Sequence, residues 1–83
     1  MAYREITYRN DEWTVSGAII CADIELTLVV PGFYGPAKFE IYQVCNDGKF
    51  VTGWLEAAMI AWVAENQPQL KQFEIDASQH EAM

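Results

Sequence analysis

The first half of the chain alternates between hydrophobic and polar residues, which is the pattern of β-strands with one buried face. Residues 3–9 alternate in this way, and residues 12–20 resume the alternation with Trp13 and Val15 on one side. Asn10-Asp11, which lies between them, is a turn-forming pair. The pattern therefore predicts a β-hairpin with its turn at Asn10-Asp11.

A change of phase follows this predicted hairpin. The hydrophobic residues of 12–20 occupy odd positions, whereas those from Ile24 to Val30 occupy even positions. A slip of one residue moves every side chain to the opposite face, so we expect a turn or a β-bulge near Cys21-Ala22-Asp23. The even positions of residues 24–30 should share one face.

The segment Pro31–Pro36 contains two prolines and two glycines, which end the strand pattern. Residues 37–45 predict another strand. The four residues 46–49 predict a tight turn, because Asn46 or Asp47 opens such turns and Gly48 accepts a positive φ. A short strand over residues 50–52 should pair back onto 37–45.

Residues 53–66 are predicted to form a helix that ends at Asn66-Gln67-Pro68. Leu55, Met59 and Trp62 recur at i, i+4 and i+7 and should face the sheet. Residues 70–77 alternate again and predict a final strand, with a helix from Pro68 as the alternative. The fold class is thus α+β: an antiparallel sheet of five or six strands with one helix on one face.

The size and charge of the chain narrow the classes of function. The 83 residues, 52% of them hydrophobic, form one domain over 1–77 with a polar tail over 78–83. Five basic residues against twelve acidic ones give a net charge of −7, which disfavours direct binding of nucleic acid or an anionic membrane. There is no signal-peptide pattern and no apolar run of about 20 residues, so we expect a cytoplasmic protein with Cys21 and Cys45 reduced.

The sequence lacks the residue patterns that usually carry out catalysis. The one histidine, His80, lies in the polar tail, and neither Ser16 nor Ser78 has a Gly-x-Ser-x-Gly context. No His/Cys cluster has metal-ligand spacing, and Gly32 and Gly35 do not form a phosphate-binding loop. We therefore expect no enzyme activity, no metal and no cofactor.

Three groups of residues are candidate binding sites. Asp23 and Glu25 share one strand face, as do Glu74 and Asp76 in the predicted final strand; if these strands were neighbours, the four carboxylates would form one acidic surface. Phe33 and Tyr34 on the Pro-Gly-rich loop are candidate binding anchors. The third group is the back of the predicted helix, which offers a candidate oligomer interface: Trp54, Ala57, Ala58, Ala61 and Ala64.

Each group also has a purely structural interpretation. The carboxylates would then form a solvent-exposed sheet face that keeps the protein soluble. The two loop aromatics would fold back and cover the open end of the sheet. The apolar residues on the outward side of the helix would belong to the core if the sheet curled around the helix or if the C-terminal segment folded over it.

The sequence predicts a non-catalytic protein-binding module that occludes a basic, nucleic-acid-facing surface of another protein, such as a nucleic-acid-binding enzyme. Compact acidic inhibitors encoded by phages and other mobile elements, including anti-CRISPR and DNA-mimic proteins, resemble it in size and charge, although no motif is shared. The alternative function is a structural or assembly subunit that forms a homodimer or larger oligomer through its apolar helix.

Overall fold

The computed structural model describes residues 3–31 and 38–81. In this part of the chain one antiparallel sheet of four strands, in the order β1-β2-β3-β4, precedes two helices. The strands are β1 (Tyr3–Val15), β2 (Ala18–Pro31), β3 (Glu40–Asn46) and β4 (Lys49–Phe50), and the helices are α1 (Trp54–Glu65) and α2 (Gln67–Glu81). The predicted α+β class with an antiparallel sheet is confirmed, whereas the predicted strand and helix numbers are wrong.

The first hairpin turns at Ser16-Gly17 and not at Asn10-Asp11, so the predicted turn position is wrong. Ser16 has φ 50° and Gly17 has φ 84°. A two-residue turn with both central residues left-handed matches the right-handed twist of the flanking strands. Because β1 continues through Asn10-Asp11, two of the predicted strands merge into one.

The predicted irregularity near Cys21-Ala22-Asp23 is confirmed as a β-bulge. Asn10 pairs with Ile24, whereas Glu12 pairs with Cys21, so β2 contributes one residue more than β1 across this step. The bulge shifts the pairing without breaking either strand.

The second hairpin lies where the sequence predicts it. Asp47 (φ 54°) and Gly48 (φ 79°) form its turn, again with both central residues left-handed. The backbone N–H of Val51 donates to the carbonyl of Val44 at 2.9 Å, which extends the pairing beyond β4.

Helix α1 confirms the predicted helix over 53–66. Gly53, with φ 75°, precedes it, and the side chain of Asn66 donates to the carbonyl of Trp62 at 2.8 Å at its end. Met59 and Trp62 are buried and Leu55 is half-buried, so the predicted stripe does face the core.

Helix α2 corrects the predicted strand over 70–77 and agrees with the alternative of a helix from Pro68. Leu70, Phe73, Glu74 and Ala77 recur at i, i+3, i+4 and i+7, so the segment also fits a helical period. Leu70 is fully buried. Pro68 lies in the first turn, where its missing N–H has no intrahelical partner to lose. The backbone of residues 78–81, predicted as tail, continues the helix.

The core lies between the helices and one face of the sheet. The even positions of β2 supply its centre, with Ile24, Leu26, Leu28 and Val30 each at most 2% exposed. Beside it Tyr8 is half-buried in an aromatic cluster. Its ring centroid lies 5.8 Å from that of Trp13, 5.3 Å from that of Trp62 and 5.0 Å from that of Phe73.

Candidate protein-binding surfaces

The face of the sheet opposite the helices is the first candidate surface, and we call it the outer sheet face. Even positions of β2 are buried under the helices, so odd positions must point the other way. Cross-strand partners share a face, which assigns residues of β1 and β3 to the same side. On this face Glu25 is exposed and Val29 half-buried, whereas Thr27 at its centre is only 8% exposed.

Acidic residues surround an uncharged centre on the outer sheet face. The centre is the row in which Thr27 pairs with Thr7 on one side and Gln43 on the other. The exposed carboxylates around it belong to Glu5, Glu12, Asp23, Glu25 and Glu40. Of the four carboxylates that the sequence predicts for an acidic surface, Asp23 and Glu25 lie on this face.

The pairing fixes the approximate spacing of these charges. Glu5 and Glu40 both pair with Val29, from opposite sides, so two inter-strand spacings of about 4.8 Å separate them. Glu25 lies four residues from Val29, about 13 Å along β2 at the usual strand rise. This spacing suits separate Lys or Arg side chains, and it is sparser than the phosphates of DNA.

Arg9 and Asp23 form a two-pronged ion pair on the outer sheet face. Nε of Arg9 donates to Oδ1 of Asp23 at 2.9 Å, and Nη2 donates to Oδ2 at 2.6 Å. These hydrogen bonds lower the pKa of Asp23 below its ordinary value and raise the pKa of Arg9. The other carboxylates of this face (Glu5, Glu12, Glu25 and Glu40) have no ion-pair partner among the described residues.

A shallow cavity of about 210 Å³ lies at the bulge end of the outer sheet face. Arg9, Asp23, Glu25, Cys45, Asp47 and Gly48 line it. Because it is small, open and acidic, it suits the tip of a basic side chain better than an organic ligand.

The second predicted acidic pair lies elsewhere, since it belongs to α2. The carboxylate of Glu74 is only 12% exposed and contacts Nε of Arg4 at 3.2 Å and Nζ of Lys71 at 3.9 Å. Asp76 is exposed and accepts a hydrogen bond from Nε2 of Gln72 at 2.9 Å. The structure therefore does not gather the four predicted carboxylates on one surface, and Glu74 is an internal partner of Arg4.

The second candidate surface is the outward side of α1. Trp54 is 72% exposed and Ile60 54% exposed, and Ala57 and Ala64 are exposed as well. Ala58 and Ala61 are half-buried. Residues three and four apart are neighbours on a helix, so these side chains form one continuous row, which we call the α1 ridge: Trp54, Ala57, Ile60, Ala61 and Ala64.

Two grooves separate the α1 ridge from the edge of the sheet. The larger, about 450 Å³, lies between α1 and β3, with Lys38, Glu40, Tyr42, Glu56, Ile60 and Ala64 among its lining residues. The smaller, about 430 Å³, adjoins β4 and shares Tyr42 and Glu56 with the first. Tyr42 is 68% exposed and Phe50 75%. Sequence reasoning missed both aromatics. Tyr42 is the extra residue of a bulge in β3, where strict alternation does not predict its direction.

Phe33 and Tyr34, the predicted loop anchors, lie outside the described residues. Cys21 is exposed and Cys45 half-buried, and both are free thiols. Within 3–31 and 38–81, no group of three or more His, Cys, Asp and Glu residues is placed to bind a metal ion. Neither described helix combines the length and the apolarity needed to cross a bilayer.

No family model, no curated protein and no solved structure matches this chain.

Proposed function

We propose that the protein is a non-catalytic binding module whose outer sheet face docks on a basic surface of another protein and blocks access to it. The observation that carries this proposal is the exposed set of carboxylates on the outer sheet face, of which only Asp23 has an ion-pair partner among the described residues. A basic, nucleic-acid-binding surface is the partner whose charge complements this face.

The rigidity of the sheet supports this function. Glu5, Glu25 and Glu40 stand on three adjacent strands whose opposite face is packed on the core. The backbone positions that carry these side chains are therefore fixed before binding, so association orders the side chains but not the backbone. Complementary potential also speeds the encounter, and this contribution falls as ionic strength rises.

Affinity capture from the native lysate with charge variants tests the proposal. We expect the wild type to retain a protein with a basic surface, and Glu25→Lys to lose it. Asp76→Lys is the matched control: it makes the same charge change at an exposed carboxylate on α2, on the other side of the molecule. Equal capture by all three proteins, or loss in both variants alike, would contradict a role for the outer sheet face.

A second candidate function is an assembly subunit that associates with itself. The exposure of Trp54 and Ile60 on α1 favours it, because monomers seldom leave such side chains in contiguous apolar patches. The two functions use different sides of the molecule and are compatible, although Glu40 borders both the outer sheet face and the groove beside α1.

A further inference from the structure

We infer that the α1 ridge is the interface of a homodimer, in which α1 packs antiparallel against α1 of a second copy about a two-fold axis midway between Ala57 and Ala61. This inference rests on the proposed function as an assembly subunit, and it is independent of the proposed docking through the outer sheet face.

The pattern of large and small side chains on the ridge is self-complementary. In an antiparallel pair about the proposed axis, Ala57 faces Ala61 of the second copy. The same axis places Trp54 against Ala64 of the second copy, because both pairs have their midpoint at position 59. A two-fold interface requires such reciprocity, and here the largest ridge residue meets one of the smallest.

Small residues at the centre of the ridge permit close contact. Helix axes approach to about 8 Å where the contacting side chains are small. Ala57 is exposed and Ala61 half-buried within one copy. The antiparallel orientation also places each helix N-terminus near the C-terminus of the other, which is the favourable arrangement of helix dipoles.

The charges around this side explain why a second copy fits it better than a basic partner. The charged side chains that line the groove beside the ridge are Lys38, Glu40 and Glu56, with a net charge of −1. This is a small part of the net charge of −7 that the protein carries. Two acidic copies therefore repel each other less here than through contact between their outer sheet faces.

The exposed apolar side chains beside and on the ridge present a large area for an interface. Trp54, Tyr42 and Ile60 are 72%, 68% and 54% exposed. Taking about 150–250 Å² for each whole side chain, they present roughly 400 Å². A standard interface buries about 800 Å² per partner, so these three side chains present about half of that area. Apart from Glu40, which lines the groove, the outer sheet faces stay exposed in this dimer.

Sedimentation equilibrium of the full chain from about 1 to 200 µM tests the dimer. We expect the wild type to reach twice the monomer mass, and Ala57→Glu and Ala64→Glu to remain monomeric with unchanged far-UV circular dichroism. Ala77→Glu, at an exposed alanine of α2, is the control and should dimerise like the wild type. A monomeric wild type at 200 µM, or a dimer that persists in Ala57→Glu, would overturn the inference.

Disulfide trapping tests the orientation separately, in a background with Cys21→Ser and Cys45→Ser. A mixture of Ala57→Cys and Ala61→Cys chains should give mostly the mixed disulfide, because the proposed axis pairs these two positions. Equal yields of the mixed and the two symmetric disulfides would overturn the antiparallel arrangement. Because neither experiment involves the basic partner, failure of the dimer is distinguishable from failure of the proposed docking on the outer sheet face.

Discussion

Gln67 uses its side-chain amide to pair with both backbone polar groups of Phe39. Its Oε1 accepts from the N–H of Phe39 at 2.8 Å, and its Nε2 donates to the carbonyl of Phe39 at 3.0 Å. The same Nε2 lies 3.0 Å from the carbonyl of Val63. One residue at the start of α2 therefore joins the end of α1 to the segment that enters β3, next to the larger groove.

Replacing Gln67 with Ala should destabilise the protein by about 2 kcal/mol, because the part-buried N–H and carbonyl of Phe39 lose the hydrogen bonds that Gln67 makes to them. The carbonyl of Val63 keeps the N–H of Asn66, at 3.3 Å. Urea unfolding followed by circular dichroism measures this. Gln72→Ala, which removes an exposed amide whose side-chain partner is Asp76, should change the free energy of unfolding by less than about 0.5 kcal/mol. Equal effects of the two substitutions would contradict the structural role of Gln67.

The aromatic cluster gives a prediction about Tyr8. Its ring contacts Trp13, Trp62 and Phe73, whereas its hydroxyl has one hydrogen-bond partner among the described residues, exposed Gln69, which donates to it at 3.1 Å. Tyr8→Phe should therefore cost less than about 1 kcal/mol, and Tyr8→Ala about 3 kcal/mol. Urea unfolding followed by tryptophan fluorescence distinguishes the two. A large decrease in the free energy of unfolding of Tyr8→Phe would show that the hydroxyl, and not the ring, stabilises the fold.

The two carboxylates of α2 should differ in their effects on stability. Glu74 is nearly buried between Arg4 and Lys71, so Glu74→Ala should leave cations with fewer partners and cost about 1–2 kcal/mol. Asp76→Ala should stay within about 0.5 kcal/mol, since its carboxylate is exposed. Thermal unfolding of both variants measures this difference in stability. Equal decreases in stability would show that the carboxylate of Glu74 is as solvated as that of Asp76.

The Arg9–Asp23 pair predicts a pH dependence. Its hydrogen bonds lower the pKa of Asp23 in the folded protein below the ordinary value of 3.8. A lowered folded-state pKa means that the stabilisation is present above the unfolded-state pKa and disappears as pH falls through the folded-state value. Carboxyl NMR titration should show Asp23 titrating below the ordinary range in the wild type and within it in Arg9→Gln. The same pKa in both proteins would contradict the pairing.

The parts of the fold that sequence predicts are those with a strong local signal. Alternation predicts the buried even positions of residues 24–30, and turn chemistry predicts the Asp47-Gly48 turn. The change of hydrophobic phase lies at the Ser16-Gly17 turn, since Ile20 and Ala22 already pack against the core. The sequence predicts the first turn at the wrong place because Asn10-Asp11 is a turn-forming pair by composition. The observed turn lies at Ser16-Gly17, where both residues adopt the left-handed conformation that a two-residue hairpin requires.

The C-terminal helix was predicted as a strand because 70–77 fits both periods. Phe73, Ile75 and Ala77 alternate, but Leu70, Phe73 and Ala77 fit a helical stripe, and burial of Leu70 against the sheet decides between them. The same error misplaced Glu74 and Asp76. The full set of acidic residues on the outer sheet face depends on pairing between strands, which brings Glu5 and Glu40 to either side of Val29. No local pattern contains that information.

The affinity of the protein for its captured partner, measured between 50 and 500 mM salt, tests the central claim most directly. If carboxylates such as Glu25 and Glu40 carry the contact, the dissociation constant should rise steeply over this range, because salt screens opposite charges. The rise should be shallower in a Glu25→Gln, Glu40→Gln variant than in Asp76→Asn. A dissociation constant that does not change with salt would contradict the account.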